Sequence, residues 1–78
     1  MVISFVDSDG NSVELNPGDE FVSTNKLGGR YRYQYLGIMP DECGFDYYIR
    51  DLDNGSFSNV EMEWFMQRRI EKKQNASA

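Results

Sequence analysis

Cys43 is the strongest potential nucleophile in this sequence, and it would have to act without a histidine, because the chain contains none. Thiol catalysis needs a thiolate, and that in turn needs a base or a positive environment. The neighbours Asp41, Glu42 and Asp46 are acidic and would push the thiol pKa the wrong way. The absence of histidine also removes the commonest general base and the commonest metal ligand. Asp51 and Asp53 are spaced to share one face of a strand, an ordinary arrangement for surface carboxylates. The run Asp7-Ser8-Asp9-Gly10-Asn11, with Glu14 beyond, has the look of a calcium loop, but its glycine arrives two places too early for an EF-hand. A solvated hairpin turn is the better expectation, with no metal and no cofactor. Gly28-Gly29 lacks the spacing of a phosphate or dinucleotide loop. These residues together predict a protein that is not an enzyme.

Recognition chemistry is better represented. In Arg30-Tyr31-Arg32-Tyr33-Gln34-Tyr35 the aromatic residues alternate with cationic or polar ones at the two-residue period of a strand. One face would carry three tyrosines and the other Arg30, Arg32 and Gln34. Tyrosine and arginine are enriched at the energetic centres of interfaces. The competing explanation is that the tyrosines cover the rim of a small core with their hydroxyls left wet. The binding candidates are Arg30, Tyr31, Arg32, Tyr33, Tyr35, Tyr48, Asp51 and Asp53.

The elements that must position these residues are short. Val2 to Val6 and Ser12 to Leu15 read as a hairpin about Asp9-Gly10 or Gly10-Asn11. Asn16-Pro17-Gly18-Asp19 fits a type II turn, with a strand at Glu20 to Ser23 and a loop from Thr24 to Gly29. The long strand Arg30 to Ile38 needs a bulge near Gly37, because otherwise Tyr31, Tyr33 and Tyr35 would oppose Leu36 and Ile38. Met39 to Gly44 reads as a polar connection, followed by a strand from Phe45 to about Leu52. Asn54-Gly55 suggests a type I′ reversal. After a short strand, Ser58 with Glu61 forms a capping-box pattern and predicts a helix from about Asn59 to Lys72. Gln74 to Ala78 is expected to fray. The expected core is Val6, Val13, Leu15, Phe21, Leu36, Ile38, Phe45, Tyr47, Ile49, Val60 and Trp64.

The order of these elements resembles the small SH3-like barrels, and most closely Tudor-type and KOW-type domains. The Pro-Gly-Asp turn, the aromatic strand ending in Leu36-Gly37-Ile38, the second aromatic strand and Asp51-Leu52-Asp53-Asn54-Gly55-Ser56 carry the likeness, over Asn16 to about Phe65. It implies a mainly β fold, a small antiparallel SH3-like barrel or curled sheet of four to five strands with a C-terminal helix. It also implies binding of peptides, modified side chains or nucleic acid. A Tudor-type aromatic cage would fall on Tyr33 or Tyr35 and Tyr47 or Tyr48, with Asp53 or Asn54 at its rim. The chain departs from that pattern in Thr24 to Gly29, which has no aromatic residue. In size, acidity and layout the chain also looks like small bacteriophage accessory proteins, many of which bind a host enzyme.

Seventy-eight residues make a single domain, 1–78, near the lower limit for an unstapled core. One cysteine allows no internal disulfide, and no apolar run is long enough to span a membrane, so a cytoplasmic protein is expected. The net charge of −5 is uneven: residues 1–63 hold twelve acids against four bases, whereas Arg68, Arg69, Lys72 and Lys73 face only Glu71 in the remainder. An acidic body disfavours phosphate contacts, the main source of non-specific nucleic-acid affinity. A protein partner is therefore expected ahead of a nucleic acid bound through the Arg/Tyr strand and the basic segment.

Overall fold

The computed structural model describes residues 1–41 and 44–73, the side chains of 39–45 excepted. It is mainly β: two antiparallel sheets and one short helix. A hairpin of β1 (Ile3–Val6) and β2 (Ser12–Leu15) forms the smaller sheet. The larger has the order β6-β5-β4-β3-β7, built from β3 (Glu20–Thr24), β4 (Arg30–Asp41), β5 (Gly44–Asp51), β6 (Phe57–Val60) and β7 (Arg69–Lys72). Helix α1 (Met62–Met66) lies between the last two strands.

Turn chemistry sets the connections. Asp19 N–H donates to the Asn16 carbonyl at 2.9 Å and Gly18 takes φ of 98°, as a type II turn requires. Gly37 takes φ of 131°, and the β4–β5 register shifts between Tyr35 and Gly37, so the expected bulge is present. The bulge lets Tyr35 opposite Ile49 and Ile38 opposite Tyr47 share one face. That face meets the hairpin. Ile3, Phe5, Val13 and Leu15 pack there with Phe21, Tyr35, Ile49, Phe65 and Ile70.

Several expectations are corrected. Strand β4 continues through Met39 and Pro40 to Asp41, where a connection was expected, because β5 pairs with it that far. Asn54-Gly55 does not form a type I′ turn: among the described residues none other than glycine has positive φ, and Asp51 pairs with Ser56 around a four-residue loop. Asp51 stabilises that wider loop by accepting from Asp53 and Asn54 N–H. The long C-terminal helix is five residues, with Glu61 at its N-cap and no side-chain capping bond. Its expected second half is instead β7, because the outer side of β3 needs a strand and Ile70 completes the core. Val6 and Leu36 are exposed, and Ile38, Tyr47, Val60 and Trp64 only half-buried. Ile3, Phe5, Tyr35, Phe65 and Ile70 bury in addition to those expected. The expected core position Phe45 and the tail 74–78 lie outside what is described.

Candidate recognition surface

Strand alternation divides the binding candidates between two faces. Tyr31, Tyr33 and Tyr35 lie on the core side in graded burial. Tyr35 is fully buried, and its hydroxyl donates to the Met1 carbonyl at 2.9 Å. Burial raises its pKa, since the phenolate would lose hydration. Tyr35 is thus a core residue and is inaccessible to a partner. Tyr33 is half-buried, packing 5.7 Å from Phe21 and edge-on to Trp64 at 5.3 Å between ring centroids. Burial, then the nearby Asp51 charge, raise its pKa. Tyr31 is 45% exposed at the end of this aromatic row. These positions place Tyr33 and Tyr35 in packing and leave Tyr31 on the surface.

On the opposite, outer face, Val22 stands opposite Arg32, Gln34 opposite Arg50, and Arg50 opposite Phe57. Arg30 and Arg32 therefore share a face with Arg50, Tyr48 and Phe57. Phe57 is 70% exposed, and the Arg50 guanidinium lies 5.5 Å from its ring centroid. A shallow recess of about 210 Å³ is lined by Tyr48, Phe57, Ser58 and Asn59. Neither Arg50 nor Phe57 was singled out from sequence. Phe57 follows a turn in a run of serine and asparagine with no apolar periodicity around it, so the sequence holds no signal for its face.

The acidic candidates act first within the chain. Asp51 is spent on the β5–β6 loop. Asp53 accepts from Arg32 Nη2 at 2.6 Å and Nε at 3.1 Å, and it holds the guanidinium still more firmly protonated. Both partners are well exposed, so the pair fixes geometry more than it adds stability.

The calcium-like run is a turn of a different kind. Asp7 is only 5% exposed; one carboxylate oxygen accepts from Asp9 and Asn11 N–H, and the other from Ile70 N–H at 3.0 Å. Burial would raise its pKa, but the three N–H donors, with Arg69 nearby, outweigh it and hold the group below the usual carboxylate range.

The C-terminal cations are also engaged. Arg69 pairs with Asp9 and Glu71, Lys72 with Asp19 at 3.0 Å, and Lys73 with Glu20 at 3.5 Å. The Arg68 guanidinium stacks 4.5 Å from the Trp64 ring centroid and donates to the Trp64 carbonyl. Asp19, held by Asn16 N–H and Lys72 against the opposing effect of burial, titrates below its ordinary value. No helix among the described residues is long and apolar enough to cross a membrane. No family model matches the chain, and neither the curated proteins nor the solved structures give a match.

Proposed function

We propose that this chain is a non-enzymatic, cytoplasmic protein-binding module, an opened SH3-like barrel that modulates or inhibits a larger partner through the outer face of its sheet. The barrel reading is supported by a four-strand meander, β3 to β6, then a helical turn and a last strand returning to β3. The binding reading is carried by Phe57, a large apolar side chain held exposed beneath Arg50 and beside Tyr48. A phenylalanine left in water forfeits burial worth about 2 kcal/mol, which a partner covering it would recover. Arg30 extends the face with a guanidinium suited to bidentate carboxylate contacts, while Arg32 beside it is held by Asp53. Nucleic-acid binding is disfavoured because Arg68, Arg69, Lys72 and Lys73 are already engaged within the chain.

Affinity capture from native cells, with and without nuclease, tests this. A protein partner should survive nuclease treatment and be lost with the triple variant Arg30→Ala, Arg50→Ala, Phe57→Ala, whose fold is checked by circular dichroism. Loss of every partner to nuclease, or unchanged capture by the triple variant, would refute the reading.

A further inference from the structure

The two edges of the five-stranded sheet are treated differently. Beside β7, the first turn occupies two backbone groups: Ser8 N–H donates to the Arg68 carbonyl at 3.0 Å, and Ile70 N–H to Asp7. Arg69, Glu71 and Lys72 add charge along that strand, a usual defence of an edge. Strand β6 has neither device. Its sequence Phe57-Ser58-Asn59-Val60 carries no charge and no proline, and no strand among the described residues pairs with its outer side. Asp51 N–H bonds to the Ser56 carbonyl, so alternation turns Ser58 and Val60 toward β5 and aims the backbone N–H and C=O of Phe57 and Asn59 outward.

We propose that the β6 edge receives an extended segment of a basic protein partner as an added strand, with apolar and basic side chains alternating along it. This rests on the protein-binding reading and adds the docking mode and the partner's chemistry. An added strand sends successive side chains to opposite faces of the sheet, and two recesses adjoin β6, meeting at Asn59. One is the Tyr48–Phe57–Asn59 recess, suited to an apolar side chain. The other, about 350 Å³, is lined by Val60, Glu61, Glu63, Trp64 and Arg68 among others. Neither Glu61 nor Glu63 enters an ion pair among the described residues, while Arg68 beside them is committed to Trp64. A lysine or arginine of the incoming strand would supply the missing cation. A second copy of this chain fits less well, because its own β6 carries no charge to offer these glutamates and brings another acidic body.

The test titrates the full chain with a blocked octapeptide alternating lysine and valine. Three controls accompany it: a glutamate–valine peptide, the lysine–valine peptide N-methylated on alternate amides, and the chain alone over a range of concentration. The lysine–valine peptide should slow amide exchange at Phe57 and Asn59 by about tenfold or more, in line with newly hydrogen-bonded groups. Its affinity should fall about tenfold with N-methylation and by a similar factor in the double variant Glu61→Gln, Glu63→Gln, whose exposed sites leave the fold unstressed. Equal binding of the N-methylated or the glutamate peptide overturns the proposal. So does protection of Phe57 and Asn59 that grows with protein concentration alone, which would assign the edge to a second copy. A native partner captured through Arg50 and Phe57 while both amides exchange freely would overturn edge docking and leave the protein-binding reading standing.

Discussion

Two turns in this molecule share one geometry and differ by one atom's chemistry. In Asp7–Asn11, Asp7 N–H bonds to the Asn11 carbonyl, Gly10 N–H to the Asp7 carbonyl, and Gly10 takes φ of 82°. In Asn25–Gly29 the same bonds link Asn25 to Gly29 and Gly28 to Asn25, with Gly28 at φ of 86°. Each first side chain accepts from the N–H groups two and four residues on. Asp7, however, has a second oxygen, and that oxygen takes the Ile70 N–H from the far end of the chain. The amide of Asn25 has an N–H₂ group in the equivalent place, and its turn carries Leu27, 96% exposed, at the tip. A carboxylate therefore joins a turn to another strand where an amide closes only itself.

The largest expected effect comes from breaking the first turn. Asp7→Ala leaves three N–H groups without their acceptor, one of them on a buried residue, and should lower stability by about 3 kcal/mol in denaturant titration. Asp7→Asn makes the first turn chemically like the second; its local bonds survive and the Ile70 bond is lost, for a cost of about 2 kcal/mol. A loss below about 0.5 kcal/mol for both variants, the range of ordinary surface changes, would show that the second oxygen contributes nothing.

Acid sharpens the same contrast. Because the folded Asp7 carboxyl titrates below its unfolded value of about 3.9, its contribution is complete above that value and disappears as pH falls through the folded pKa. Asp19, also lowered, contributes in the same window. Stability should therefore fall below about pH 4, and Asp7→Asn should flatten that acid limb by removing one of the two titrations. A limb of unchanged steepness would assign acid sensitivity elsewhere.

Smaller effects belong to the second turn. Asn25→Ala removes two hydrogen bonds at a partly exposed site and should cost about 1 kcal/mol, measured as above. Leu27→Ser, at the exposed tip, should change stability by less than about 0.5 kcal/mol. A larger loss at Leu27 would mean that this tip is covered in solution.

What the sequence revealed about the fold follows how local each determinant is. The first hairpin, the Pro17-Gly18 turn and the Gly37 bulge are set by residues within a few positions of one another, and each was legible. The end of the chain was not. Ser58 with Glu61 and the spacing of Trp64 to Ile70 favour a helix locally, but Arg69–Lys72 pairs with a strand some fifty residues earlier and is tied to Asp7. Tertiary pairing outweighs such weak local preference. At the candidate site, Arg30, Arg32 and Tyr48 were legible by alternation, which places them on the outer face. Which side of β4 becomes the core depends on the hairpin packed against it, and on a distant carbonyl, Met1, that accepts from Tyr35. Phe57 and Arg50 become neighbours only once β5 and β6 pair.

The tie between the first turn and β7 bears on how the chain is made. The β3 edge and the Asp7 carboxylate, onto which β7 docks, leave the ribosome well before β7 itself. During that interval β3 presents an unpaired row of N–H and C=O groups, and Asp7 sits without its distant donor. Contacts across so much sequence form late and slowly, so this interval is when the nascent chain is most exposed to pairing with the wrong strand.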